Sequence, residues 1–578
     1  RIYTGHERWG DLKAALRPVR CRFPEETYDW EMDQPLKHPY DETILYRLHV
    51  RGFTRHTSSG TGERGTFRAL TEKIPYLKEL GITAVELMMP NEFQEVMMED
   101  GADGNPYATG TPTGRLNYWG YGAGYLFAPK ASYTSGKEKE PEREFKDLVK
   151  EFHKNDIEVL VELYFTGEES AALAQEAVRF WVYEYHVDGL SGFAPAELLA
   201  SDPLLADTKL LAASWDGVRV PKTAAAPKLR ERRWHLGEYN EGFLIDMRRV
   251  LKGDEDQVGR LIYQTRRNPD AYGVINYMAA TNGFTMMDMV SCEQKHNEAN
   301  GENNRDGSDY NYTWNCGVEG TTRKKKIVQM RKKQLRNAFL LLVCRQGTPM
   351  FLAGDEFGNS QNGNNNAYCQ DNEISWLNWH QLETNRDIYE FVKYMIAFRK
   401  AHPVFHLPVE PKNIDYLVCG HPDVSYHGVK TWCPEFENFR RQLGILYCGE
   451  YGRRADGTSD DYFFVAYNMH WEPHEFDLPK LPKGMQWTLC INTDDADNNG
   501  ICPSESLEAG QEPQEELRQY MVPPRSILVF RGFKPISGPA SEKDGKKAGK
   551  VVKSVKRQNV RKEPAKEAET VVAAAREL

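Results

Sequence analysis

No run of about 18 consecutive apolar residues occurs in this 578-residue chain, so the sequence offers no membrane-spanning helix. Nor is there a surplus of positive charge. Lys and Arg number 74 against 84 Asp and Glu, a net charge of -10, which removes the electrostatic footprint of nucleic-acid binding from the body of the protein. The 10 cysteines are scattered with no CxxC pair, so they form neither a small disulfide framework nor a zinc-finger signature. Reduced thiols in a cytoplasm are the expectation. No glycine-rich GxGxxG follows the first strand-like run, which argues against a doubly wound dinucleotide-binding sheet.

What is present is a strand–helix alternation. Ile44–Val50, Ile82–Met88, Ile157–Leu163, Val187–Leu190, Lys209–Ala213, Gly273–Met278 and Thr348–Leu352 read as short, largely apolar strands. Between them, Phe67–Leu80 reads as an amphipathic helix stopped by Gly81, and Phe145–Lys154 and Ala171–Tyr185 as further helices. Such alternation predicts parallel βα units, and its length fits a (β/α)8 TIM barrel over 41–401, with function at the C-terminal ends of the strands. After about residue 402 helical patterns stop. Short strands such as Tyr462–Tyr467 and Ser526–Phe530 lie between Pro and Gly turns, predicting an antiparallel β-sandwich over 402–535. Residues 1–40 read as a polar connector. Residues 536–578 are rich in Lys, Ala and Glu, and Lys546, Lys547, Lys550, Lys553, Lys556, Arg557, Arg561 and Lys562 make them a locally basic, disordered tail.

Several long, irregular motifs carry a family resemblance. Leu45-Tyr46-Arg47-Leu48-His49-Val50-Arg51-Gly52-Phe53 resembles the first barrel strand of glycoside hydrolase family 13, the α-amylase clan, and Asn117-Tyr118-Trp119-Gly120-Tyr121 the approach to its third. The run from Lys295 through His296-Asn297-Glu298 to Asp306-Gly307 is similar to a loop of isoamylases and glycogen-debranching enzymes. Gln346-Gly347-Thr348-Pro349 and Gly354-Asp355-Glu356-Phe357-Gly358 resemble the surroundings of the eighth strand. Trp9-Gly10 look like the end of the amino-terminal β-sandwich of these enzymes, so an upstream domain is expected. The resemblance implies retaining hydrolysis of α-1,6 branch linkages in glycogen or related α-glucans. That chemistry needs a nucleophilic carboxylate and an acid/base carboxyl roughly 5 to 5.5 Å apart.

The resemblance also locates where those groups should stand, and there the chain departs from it. The nucleophile position after the fourth strand, framed by Val187-Asp188-Gly189, is Phe193, and the arginine two residues before it is Ser191. The acid/base position, within Lys209-Leu210-Leu211-Ala212-Ala213-Ser214-Trp215-Asp216, is Ala213. The third carboxylate, within Ala280-Thr281-Asn282-Gly283-Phe284-Thr285, is Asn282, and Thr281 replaces a sugar-binding histidine. In Glu162-Leu163-Tyr164-Phe165-Thr166-Gly167 the family's Asn-His pair is gone, Gly167 standing at the histidine. Phenylalanine and alanine can neither attack an anomeric carbon nor transfer a proton. The nearby acids Asp188, Glu197, Asp202, Asp207 and Asp216 are what a relocated mechanism would draw on.

The expectation is a catalytically inactive isoamylase-like protein of glycogen or α-glucan metabolism. It binds glycogen or maltooligosaccharide, or supports an active debranching enzyme or a second copy of itself, without a cofactor. An active α-1,6-glucan hydrolase using relocated carboxylates and a structural subunit that binds no sugar are the alternatives. Tyr118, Trp119 and Tyr121 offer rings to a glucose face or pack the barrel rim. The amides and acids of His296, Asn297, Glu298 and Asp306 offer hydrogen bonds to hydroxyls or to their own loop. Asp355 and Glu356 read as architectural. His296, without a second His or Cys partner at ligand spacing, reads as no metal ligand.

Overall fold

The computed structural model describes residues 2–3, 21–22, 27–98, 112–122, 124–136, 140–192, 196–215, 235–502 and 517–534. Eight parallel strands close into a barrel in chain order: β1 Leu45–His49, β2 Ala84–Met88, β3 Glu158–Glu162, β4 Gly189–Ser191, β5 Lys209–Ala212, β6 Leu236–Asn240, β7 Gly273–Tyr277 and β8 Thr348–Leu352. Strand β8 pairs back onto β1, Met350 opposite Leu45. A (β/α)8 barrel followed by an antiparallel β domain is the fold that the alternation predicted.

The helices around it bury one face each. In Ala171–Tyr185 the buried positions Ala174, Ala177, Val178, Trp181 and Tyr185 recur at helical spacing; Ser170 caps its first turn by accepting from the Leu173 N–H, and His186 ends it in the left-handed conformation. Burial of each large side chain contributes about 1.5–3 kcal/mol. The stretch 67–80, read as one helix, is two, Phe67–Thr71 and Ile74–Leu80, because Pro75 cannot donate into a continuous ladder.

Strand β6 escaped the sequence reading. Leu-Gly-Glu-Tyr-Asn is poor in strand-forming residues, but its glycine has a purpose. A Cβ at Gly237 would lie 2.7 Å from the Tyr40 hydroxyl, and one at Gly273 of β7 2.4 Å from the Tyr40 ring. Tyr40 thus plugs the N-terminal end of the barrel. Above it, Lys209 pairs with Glu158, whose other oxygen accepts from the His38 N–H at 2.9 Å. An apolar layer of Leu45, Ala84, Leu160, Leu211, Ile275 and Met350 follows. The C-terminal ends of the strands carry a second polar layer.

Beyond the barrel, Val424–His427, Gln442–Tyr447, Tyr462–Asn468, Ser526–Phe533 and Gln486–Asn492 form a five-stranded antiparallel sheet in that order, with a two-stranded ribbon of His474–Asp477 and Gln519–Val522 beside it. The main hydrophobic core runs without a break from the barrel helices into this sheet. At the junction Arg336 donates to the Thr493 carbonyl at 2.8 Å and Asn337 to that of Arg525 at 2.9 Å. No described helix is long and apolar enough to cross a membrane.

Candidate functional site at the barrel mouth

The upper polar layer centres on a residue to which the sequence reading gave no role, Arg47 of β1. Pairing of β1 with β2 sets Arg47 beside Glu86, and Glu162 closes β3. One guanidinium nitrogen of Arg47 donates to Glu86 at 2.7 Å and the other to Glu162 at 2.6 Å. Its Nε donates to the Thr281 hydroxyl at 3.2 Å. Ser191 and Tyr239 each donate to the same Glu86 oxygen at 2.6 Å, and Tyr121 donates to Glu162 at 3.1 Å. The other Glu86 oxygen is buried without a hydrogen-bond partner. Burial, reinforced by the Glu86 charge, raises the Glu162 pKa above the ordinary carboxylate range even though Arg47 opposes it. Burial works against the charge on Arg47, yet the two carboxylates hold its pKa well above the usual value.

Ser191, which the resemblance sets where an arginine is expected, donates to Glu86 from β4, while a guanidinium arrives from β1. A signal for this was visible: Arg47, Glu86 and Glu162 are charges set into short, otherwise apolar strands, where lone charges are rarely buried unless paired.

The neighbouring cavity is small. Arg47, His49, Met88, Tyr118, Trp119, Thr281 and Leu377 are among the residues that enclose about 50 Å³, against the roughly 300–1,000 Å³ of an ordinary small-molecule site. His49 stacks on Tyr118 with ring centroids 4.1 Å apart, accepts from the Gly52 N–H at Nδ1 and donates from Nε2 to the Tyr118 carbonyl. That is a neutral imidazole, and burial lowers its pKa to about 4.

Of the expected catalytic positions, Ala213 and Asn282 are exposed just beyond β5 and β7, Gly167 is exposed beyond β3, and Ser191 and Thr281 join the Arg47 network. Phe193 and Asp216 lie outside the described residues, as does the side chain of Glu197. The other nearby acids are engaged away from the mouth. Asp188 enters β4 from the opposite end and accepts from His153 at 2.8 Å; Asp202 pairs with Arg179 at 2.7 Å, and Asp207 with Lys37 at 2.6 Å.

Among the expected binding residues, Tyr118 and Trp119 are buried and Tyr121 is half-buried over the ion pair. Tyr121 meets Tyr164 edge-on at 5.5 Å, and Tyr164, which the sequence reading passed over, is 38% exposed at the rim. Asn297 is fully buried, and its amide donates to the Asp306 carbonyl and to Asn365. Asp306 accepts from Asn300 and Asn366. Glu298 is exposed, and His296 pairs with Glu319 at 3.0 Å. Asp355 accepts from the Met286 N–H, and Glu356 from Tyr46 and Tyr76, inside the core.

Residues 450–532 match the model of the alpha amylase C-terminal all-beta domain. Over its length the chain is similar to the glycogen operon protein GlgX homolog of Mycobacterium tuberculosis, 31% identical across 87% of this chain and 78% of that protein. It is also 31% identical to isoamylase 1, chloroplastic, of Arabidopsis thaliana, across 82% of this chain and 69% of that one. Among solved structures, the type I pullulanase of Bacillus subtilis complexed with maltose superposes with a TM-score of 0.60 at 18% identity, over 89% of this chain and 73% of that chain. This last likeness speaks for the fold alone.

Proposed function

We propose that this chain, which belongs to the isoamylase and glycogen-debranching family of glycoside hydrolase family 13, binds α-glucan without hydrolysing it. The observation that carries this reading is the ion-paired filling of the barrel mouth. Retaining hydrolysis requires one ionised and one protonated carboxyl facing the sugar, roughly 5 to 5.5 Å apart. Ala213 and Asn282 supply neither, and Phe193 stands at the nucleophile position. Two carboxyls among the described residues of the mouth, Glu86 and Glu162, are held by one guanidinium beside a cavity of about 50 Å³. The rim keeps aromatic groups suited to a glucan surface, Tyr121 and Tyr164. A non-catalytic partner role beside an active debranching enzyme, or in a self-association, and a cytoplasmic location belong to the same reading.

The test is a pair of assays on the purified chain. Retarded migration in a native gel containing glycogen, with release of linear chains from glycogen at background, is the expected result. Migration unaffected by glycogen leaves the structural-subunit reading in its place.

A second reading has one specific observation in its favour: two carboxyls, Glu86 and Glu162, share Arg47 at the C-terminal end of the barrel, and burial raises the pKa of Glu162. Chain release above background that is abolished in both E86Q and E162Q would establish it and overturn the first reading.

A further inference from the structure

We propose that Cys292, His296 and Glu319 form a binding site for one zinc(II) ion with a coordination position open to solvent. The site is separate from the barrel mouth and does not rest on the glucan reading. A thiol, an imidazole and a carboxylate each place a ligand atom so that all three lie within 4.8 Å of one another. Tetrahedral zinc, with bonds of about 2.3 Å to sulfur and about 2.0–2.2 Å to nitrogen and oxygen, sets its ligand atoms roughly 3.5 Å apart. Separations of up to 4.8 Å need to close by no more than about 1.3 Å to meet that geometry. His296 Nε2 and the Glu319 oxygen are already 3.0 Å apart.

The ligands are held before any ion arrives. Glu319 accepts from the backbone N–H groups of Glu293 at 3.0 Å and Gln294 at 3.2 Å and from the Asn315 amide at 3.0 Å, contacts that fix its orientation. The His296 N–H donates to the Gly363 carbonyl at 2.8 Å. Gly363 has φ +78°, and a Cβ there would lie 2.6 Å from the His296 ring and 3.0 Å from the Cys292 sulfur. The 363 backbone therefore presses both ligands together, and only glycine fits that approach.

A cavity of about 590 Å³, bounded among others by Cys292, His296, Ser360 and Arg331, supplies the fourth position with water. One thiolate, one imidazole and one carboxylate suit zinc, whereas calcium and magnesium favour all-oxygen sets. Binding releases the Cys292 proton, and the thiolate and Glu319 then cancel the dication. The cations beside the cavity are already engaged: Arg331 donates to the carbonyls of Gly320, Asn315, Ser291 and Val318, and Lys332 to Asp387 at 2.8 Å. The other convergence of such groups among the described residues, His402 with Asp460 and Asp461, is different. There Arg454 lies 2.9 and 2.8 Å from the two carboxylates and takes the place of an ion.

The experiment uses the full reduced chain, freed of metal by a chelator, and cobalt(II) and zinc(II) as probes. Cobalt is expected to bind one equivalent with a thiolate-to-metal charge-transfer band and the visible spectrum of a tetrahedral ion. C292S abolishes the band, H296Q and E319Q weaken zinc binding at least tenfold, and C316S changes nothing. X-ray absorption on the wild-type zinc form needs no variant and is expected to show one sulfur among lighter ligands. A zinc shell without sulfur, a cobalt spectrum without the charge-transfer band, or equal affinity in wild type and C292S would overturn the proposal.

Discussion

Two ion-paired groups are buried in one barrel, an apolar layer apart, and they are built differently. At the floor a single lysine, Lys209, meets a single carboxylate, Glu158, whose second oxygen is taken by the His38 N–H while Tyr40 closes the end. At the mouth a single arginine serves two carboxylates, and one oxygen of Glu86 is left without a partner. The floor balances charge and satisfies its polar groups, as an architectural element does. The mouth sets two carboxyls against one guanidinium and leaves one oxygen unsatisfied. Under the function proposed above, this is a reaction centre turned into core.

The largest expected effect tests this asymmetry. Removing one partner of a buried ion pair costs about 3–5 kcal/mol. K209M should fall in that range. R47M strands two carboxylates and should cost more, about 5 kcal/mol or above at pH 8 by urea unfolding. The pH dependence has a definite sign. Burial raises the Glu162 pKa against the pull of Arg47, and without the guanidinium that carboxyl binds its proton more tightly in the folded state than in the unfolded one, so stability falls as pH rises above the ordinary glutamate value of 4.5. R47M should therefore lose less at pH 5 than at pH 8. A cost equal to or below that of K209M breaks the comparison.

Next in size is the plug. Y40A removes a ring enclosed by Gly237 and Gly273 and leaves a void that the strands cannot collapse into, at about 3–5 kcal/mol. The change lies at the far end of the barrel, so retardation by glycogen at a temperature where the variant is folded should be unchanged. Equal losses of stability and retention would show that floor and mouth are not independent.

How much of this was legible beforehand depended on whether a signal was local. Seven barrel strands stood out as apolar runs; β6 did not, because the features that make it a strand are its neighbours and the Tyr40 ring beneath its glycine. The expectation that Ala213 and Asn282 stand where the resemblance calls for carboxyls came from flanking residues that match, a local signal. The charges in three apolar strands hinted at the network, but its partners were not readable, since Arg47 faces Glu86 only through the β1–β2 register and reaches Glu162 past the intervening strand. The reading of His296 as having no His or Cys partner overlooked Cys292 four residues before it, and Glu319 joins the two only through the folded chain.

A smaller effect belongs to the wall of the mouth. Burial lowers the His49 pKa from 6.5 to about 4. Between those values the unfolded chain binds the proton that the folded chain refuses, so stability present above pH 6.5 is lost as pH falls through the window. The shift amounts to about 3 kcal/mol. His406 and His427 of the described residues add to the same slope, with pKa values lowered to about 3 and about 4. H49Q can keep an acceptor for Gly52 and a donor for Tyr118 but does not titrate. It should flatten the acid limb of the stability profile by about one proton. An unchanged slope would mean that His49 is solvated in a way its stacking on Tyr118 does not allow.

The smallest effect on stability is the most informative for binding. Tyr164 is 38% exposed and touches Tyr121 edge-on, so its ring gives little to the core. Y164A should change stability by no more than about 0.5 kcal/mol. If the rim above Arg47 is where α-glucan lies, the same substitution removes an apolar face that the sugar would cover. Retention by glycogen should then weaken about tenfold, equivalent to about 1.4 kcal/mol. K209M, assayed where it is folded, should bind as wild type. Undiminished retention in Y164A would move the glucan surface away from the mouth and leave the ion-paired barrel as scaffold from floor to rim.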